Sequence, residues 1–283
     1  MQKTQRRITP ALLRHYTEHL REQERSVATV EKYTRALRTF YLWLPDEKSV
    51  DRENVMAYKQ TLSKGHSPGG VNVELAALNG FFRFMGWNDL CLRPLRIQRR
   101  AFADRSRELT RAEYERLVKA AERRKDCRLS LLLQTMAATG IRVSEVQFIT
   151  VEAVQTGKAE ISLKGKIRTI LLPGKLCRKL RKYLSRAGIT SGAVFRTRTG
   201  RALGRKEIWA QMKTLCAAAG VEPGKVFPHN LRHLFARVFY AAQKDIAKLA
   251  DLLGHSSIET TRIYLLSSGT EHQRALDSLR LVC

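Results

Sequence analysis

Apolar residues recur every three to four positions through roughly the first hundred residues, which predicts helices rather than strands. Thr9 before Pro10 has the form of an N-cap with proline in the first helical position, and Leu13, Tyr16 and Leu20 then fall on one stripe. A second stripe of Val30, Tyr33, Leu37, Phe40, Tyr41 and Leu44 stops at Pro45, which has no N–H to donate and disfavours helical geometry at the residue before it. A third helix is predicted from about Asp51 to Leu62. A fourth follows Ser67-Pro68, carries Val71, Leu75, Leu78 and Phe82, and ends near Gly86. These four make a small bundle in which the aromatic stripes face the core and the basic polar faces remain for contact.

The pattern changes after Arg93. From there to Arg107 arginines dominate and periodicity is lost, as expected of an inter-domain linker. Thr110 with Glu113 predicts a capping box, and a long apolar helix through Leu129, Leu132, Leu133 and Met136 reaches Gly140, a glycine placed to end it. Strand-like runs at Glu160–Leu163 and Thr169–Leu172, joined across Lys164-Gly165-Lys166, predict a hairpin, and the chain beyond Pro173 is mostly helical. The expected fold is mainly α with a small β-hairpin: a helical domain over residues 1–92, a basic linker over 93–107 and a mixed α/β domain over 108–283.

Composition narrows the partners. The 283 residues carry 52 Lys+Arg against 26 Asp+Glu, a formal charge of +26, which points to a polyanion and favours DNA or RNA binding over a merely solvated basic surface. At 43% hydrophobic residues the chain has enough apolar material for two cores, so disorder is not expected. The polar start Met1-Gln2-Lys3-Thr4-Gln5-Arg6-Arg7 does not have the form of a signal peptide, and no stretch approaches a membrane span. The five cysteines are scattered without a C-x-x-C pair, which supports neither a disulfide framework nor a zinc site and places the protein in a reducing, cytoplasmic compartment.

Candidate chemistry is spread along the second domain. Arg142 and Glu145 lie in Thr139-Gly140-Ile141-Arg142-Val143-Ser144-Glu145, where the plain explanation is a surface ion pair. Lys164-Gly165-Lys166 is an ordinary polar hairpin tip taken alone. His229 and Arg232 follow Pro228 at a spacing that puts both on one face of a first helical turn, beside free backbone N–H groups. His233 is expected to pack. Leu252-Leu253-Gly254 predicts a glycine-terminated helix with His255 just past it, and Ser256-x-x-Glu259 predicts a capping box that launches the helix bearing Tyr264.

In this order, Arg, Lys, His-x-x-Arg, Gly-His and Tyr resemble the active site of the tyrosine recombinases, the integrase and Xer-type site-specific DNA recombinases, over essentially the whole chain. The resemblance implies a helical core-binding domain and a catalytic domain in which Tyr264 attacks DNA to form a 3'-phosphotyrosyl link, resolved through a Holliday junction. It makes Arg142 and Arg232 the holders of the scissile phosphate, with Glu145 in support, His229 a candidate base and His255 a further donor. It also implies a hairpin lysine that protonates the leaving 5'-oxygen. The usual form is Gly-Lys-Gly-x-Lys-x-Arg; here the hairpin is one residue shorter, so Lys164 is the first choice and Lys166 stays open.

The physical need for such a cluster is clear: a phenol ionises near pH 10 in water, and a phosphodiester gathers charge on its oxygens as it reacts, so cations must surround both. No acidic cluster suggests magnesium, and neither metal nor other cofactor is expected. The implied partners are double-stranded DNA at a specific site, phosphates tracked by Arg96, Arg99 and Arg100, and further copies forming a tetramer on two sites. A C-terminal tail over Glu271–Leu281 would dock on a neighbouring copy or on its own. A type IB topoisomerase-like enzyme and a catalytically idle DNA-binding protein are the rival readings. No segment resembles the arm-binding module of larger integrases.

Overall fold

The computed structural model describes residues 6–97, 105–163, 166–265 and 277–279, and the chain divides between Arg99 and Arg100 into two units. The first unit holds four helices, α1 (Pro10–Glu22), α2 (Val27–Trp43), α3 (Arg52–Gly65) and α4 (Pro68–Phe84). Each starts where a short polar side chain, Thr9, Ser26, Asp51 or Ser67, accepts one of the first-turn N–H groups that has no partner inside the helix. Tyr16, Leu37, Phe40, Tyr58, Leu75, Leu78, Phe81 and Phe82 form the buried interior, so the aromatic stripes serve packing as expected. One short pairing was not anticipated: β1 (Arg6–Arg7) runs antiparallel to β2 (Ser49–Val50). Two residues per strand are too few for any periodicity to show.

The exit from this unit is clamped by two asparagines one above the other on α4. Asn79 gives its amide N–H to the Leu92 carbonyl at 2.8 Å and accepts the Leu92 N–H at 3.0 Å. Asn72 does the same for Leu95, at 2.9 and 2.7 Å. The first residues of the expected linker are therefore fastened to the helical unit. Arg96 is exposed just beyond, whereas Arg99 and Arg100 lie outside the described residues.

The second unit begins with α5 (Arg111–Arg123), opened by the predicted Thr110–Glu113 capping box, and α6 (Cys127–Thr139). A 3-10 turn (Val143–Phe148), α7 (Val151–Thr156) and an antiparallel hairpin of β3 (Lys158–Leu163) and β4 (Lys166–Leu171) follow. The remainder is α8 (Gly174–Ala187), α9 (Arg205–Lys213), α10 (Cys216–Ala219), α11 (Pro228–Gln243), α12 (Ile246–Leu253), α13 (Ile258–Arg262) and a 3-10 turn at Ile263–Leu265. The main core gathers Leu117, Leu132, Leu133, Ile161, Leu180, Phe195, Met212 and Leu231. A separate small cluster joins Ala236, Leu249, Leu253 and Tyr264.

Two expectations need correction. The second strand starts at Lys166, not Thr169, with Leu163 opposite Lys166 and Ile161 opposite Arg168. Its polar Lys-Ile-Arg opening hid it, because Ile167 faces solvent and Arg168 turns inward. Further on, the short helix α13 is not opened by Ser256. Ser257 caps it instead, accepting Glu259 N–H at 3.3 Å. No helix among the described residues is long and apolar enough to cross a membrane.

Candidate active site

The site is built around two helix C-termini that end in glycine. Gly140 terminates α6 with φ +62°, and a Cβ there would lie 2.5 Å from the Phe235 ring and 2.9 Å from Leu253. Backbone handedness and space both require glycine at that position. Gly254 terminates α12 with φ +63°, closed by bonds from Gly254 N to the Asp251 carbonyl and from His255 N to the Ala250 carbonyl; a Cβ there would lie 2.6 Å from Cδ of Arg168. Each corner leaves carbonyl oxygens unspent by the helix, at the negative end of its dipole.

Three arginines take those oxygens. Arg232, on the first turns of α11, is 2% exposed, and it donates from Nη1 to the Gly140 carbonyl at 2.6 Å and from Nη2 to the Leu253 carbonyl at 2.8 Å. Arg168 donates to the same Leu253 oxygen, and Arg142 reaches the Gly254 carbonyl at 3.3 Å. Glu145 ties two of them together. Its carboxylate accepts from the Arg142 backbone N–H at 2.9 Å, from Arg142 Nη1 at 3.0 Å and from Arg168 Nη2 at 2.5 Å. The Glu145 side chain is only 4% exposed while that of Arg142 is 40% exposed, so the expected surface ion pair is a buried carboxylate supporting a partly open guanidinium. Two of the cations share one anion and Arg232 has none, which leaves a positive surplus suited to a phosphodiester.

Tyr264 closes the site. Buried in the small cluster, it brings its Oη within 3.4 Å of Arg232 Nε. Three imidazoles surround its ring. His233 meets it edge-on with centroids 4.5 Å apart, so this residue packs as expected; His229 lies 5.7 Å away, and His255 is parallel to it at 5.7 Å. Burial first, then the charges of Arg232 and Arg142, holds His229 below the ordinary imidazole value. Burial, with help from the same arginines, Arg168 and His229, pushes His255 down to about 4. His233 is likewise lowered to about 4 by burial and then by His229, Arg237 and Arg232.

His255 touches Arg232 Nη2 through Nε2 at 2.7 Å and the buried Thr261 hydroxyl through Nδ1 at 2.7 Å. A guanidinium only donates, so Nε2 accepts. In this geometry His255 accepts from Arg232.

Arg142, Glu145, His229, Arg232, His255 and Tyr264 thus converge from four separate stretches of chain. Lys164 lies outside the described residues, and Lys166 stands in β4. Two contributors were missed. Arg168 carried a signal, since it is the arginine of the Lys-x-Arg that closes the hairpin motif; its burial against Glu145 was not readable. Thr261 is one helical turn before Tyr264 and had no signal beyond that spacing. Among the described residues no group of His, Cys, Asp and Glu could hold a metal ion.

Comparison with known proteins identifies the family. Residues 107–270 match the phage integrase family, and residues 13–88 match the SAM-like N-terminal domain of phage integrases. The chain belongs to the phage integrase family and is a site-specific recombinase of the tyrosine type. It is 28% identical over 281 residues to the tyrosine recombinase XerA of Pyrococcus furiosus, spanning 96% of this chain and 94% of the relative. In fold it is similar to the XerH recombinase in a post-cleavage complex with palindromic difH substrate (TM-score 0.71, 19% identity, 96% of this chain and 84% of that one). It is also similar to a lambda integrase tetramer bound to a Holliday junction (TM-score 0.72, 18% identity, 90% of this chain and 76% of that one).

Proposed function

We propose that Tyr264 is the nucleophile of a DNA strand-exchange reaction carried out by a tetramer on two recombination sites. The observation that carries this reading is the phenol oxygen beside Arg232, inside a cluster whose cations outnumber its anions. Tyr264 Oη forms a bond to the scissile phosphorus and the bond to the 5'-oxygen breaks. The phenol proton passes to His229, the neutral imidazole facing the ring, and the leaving oxygen takes a proton from Lys164. Arg142 and Arg232 hold the non-bridging oxygens, where charge gathers. A 5'-hydroxyl from a second duplex then attacks the phosphotyrosyl link, restores the phenol and yields a Holliday junction without ATP, because the bond energy is kept in the covalent intermediate.

The helical unit and the basic strap with Arg96, Arg99 and Arg100 contribute phosphate contacts that hold the enzyme on duplex DNA. The biological setting is Xer-like resolution or the integration and excision of a mobile element, in the cytoplasm. The test is to trap covalent complexes on fragmented genomic DNA under denaturing conditions and sequence what is attached. Recurrent attachment at one short sequence is expected. Adducts spread over all sequences, with relaxation of supercoils, would favour a topoisomerase, and none at all would favour an idle DNA-binding protein.

A further inference from the structure

Thr261 is the one group among the described residues placed within hydrogen-bond distance of His255 Nδ1, at 2.7 Å, and it is completely buried. On the opposite side of the ring, Nε2 lies 2.7 Å from Arg232 Nη2. These two contacts allow one arrangement of protons. Were Thr261 to donate to Nδ1, the neutral ring would carry its proton on Nε2, directly against an arginine N–H, and two donors would face each other at hydrogen-bond distance. A protonated ring has the same conflict. The imidazole is therefore neutral with its proton on Nδ1, donated to Thr261 Oγ1, and with its Nε2 lone pair accepting from Arg232.

That acceptor matters because of how Arg232 is used. Its Nη1 is taken by the Gly140 carbonyl and its Nη2 by the Leu253 carbonyl and His255, which sets the guanidinium plane so that Nε points at Tyr264 Oη. Loss of the acceptor would leave a buried N–H unpaired. An Nε2–H in its place would push the guanidinium away from the phenol.

We infer that Thr261 is a positioning residue: Arg232 selects the His255 tautomer, and Thr261, by accepting the Nδ1 proton, holds the ring where its Nε2 keeps Arg232 aimed at Tyr264. The inference deepens the recombinase reading of the same site, but its first measurement does not depend on that reading. The groups facing His255 are Arg232, Thr261 and Tyr264, with the charges of Arg142, Arg168 and His229 near enough to act on it. Burial and the surrounding positive charge keep the ring neutral at pH 7, which is the condition the tautomer needs.

The experiment uses the full chain labelled with ¹⁵N-histidine at pH 7, where the ring-nitrogen shifts distinguish the two tautomers; the His255 signals are assigned by their loss in His255→Gln. The wild-type protein is expected to show a protonated Nδ1 and a bare Nε2. Thr261→Val keeps the shape and removes the hydroxyl; it leaves Nδ1–H without an acceptor, so it should shift the His255 Nδ1 signal and slow covalent-adduct formation roughly ten- to a hundredfold with DNA affinity unchanged. Thr261→Ser should restore both signal and rate. A wild-type ring protonated on Nε2 overturns the inference outright, even if Thr261→Val does not fold. So does a Thr261→Val protein with an unshifted Nδ1 signal, or one with a shifted signal and an unaltered rate. Failure of Tyr264 as nucleophile would appear separately, as an adduct that survives in Tyr264→Phe.

Discussion

The arginine side and the tyrosine side of the site rest on unequal amounts of structure. Arg142, Arg168 and Arg232 are held by backbone oxygens at two helix ends and by a buried carboxylate, and Ile141, Val146 and Leu231 place their neighbourhood against the main core of the second unit. Tyr264 stands in a single 3-10 turn after a five-residue helix, packed on Ala236, Leu249 and Leu253. A helix that short does not hold itself together. The difference teaches how one fold can keep these arginines in place while leaving Tyr264, the proposed nucleophile, on an element that local opening can release.

The comparison is broken most directly at Tyr264. Tyr264→Phe should bind DNA as the wild type does and lower the yield of denaturant-resistant adduct by roughly a thousandfold or more, read by gel electrophoresis of labelled DNA. An adduct at the wild-type level would move the nucleophile elsewhere. On the arginine side, Glu145→Gln removes the only carboxylate bonded to Arg142 and Arg168 among the described residues. Uncompensated buried charge should cost about 3 kcal/mol, a fall in Tm of roughly 10 °C by calorimetry. An unchanged Tm would show that the carbonyl oxygens alone suffice.

A third experiment separates global from local stability. Leu132→Ala, in the main core, and Leu249→Ala, under Tyr264, each remove a fully buried side chain. Leu132→Ala should lower the Tm of the whole unit, whereas Leu249→Ala should speed amide hydrogen exchange over residues 246–265 by roughly tenfold or more and leave the α6 amides alone. Equal effects of both variants on α6 would mean that the two clusters open as one.

The smallest effect concerns pH. His233 and His255 titrate near 4 in the folded protein, against about 6.5 for a free imidazole. Between those values the unfolded chain binds more protons, so the stability these neutral rings contribute is intact above about 6.5 and drains away as pH falls towards 4. A Tm series from pH 7.5 to 4.5 should therefore decline, and His233→Gln should decline less steeply. Parallel slopes would assign the acid sensitivity to the carboxylates.

Much of this site was legible because its parts obey local rules. Gly140 and Gly254 announced helix ends, Pro228 a helix start, and the order of Arg142, His229, Arg232, His255 and Tyr264 gave the family resemblance. What the sequence concealed was the direction of side chains. Arg168 is one more arginine in a basic chain until its register opposite Ile161 turns it towards Glu145. Glu145 looked like a surface partner because nothing in Val143–Phe148 reveals that the turn is buried. The contacts of His255 with Arg232 on one nitrogen and Thr261 on the other were not readable from its place after Gly254. Long-range pairings of this kind arise from the packing of α6, α11 and α12, which no local window contains.

The use of carbonyl oxygens at the two glycine corners has a bearing on how such a site tolerates drift. Every amino acid carries a carbonyl, so the oxygen at position 253 that two arginines share does not depend on leucine being there. The chemical demand falls on shape: the chain must turn left-handed at 140 and 254, and the space beside each turn must stay empty. A search for functional residues by side-chain replacement would therefore pass over the groups that hold the arginines and register them only as two intolerant glycines, remote in sequence and without any reactive atom of their own.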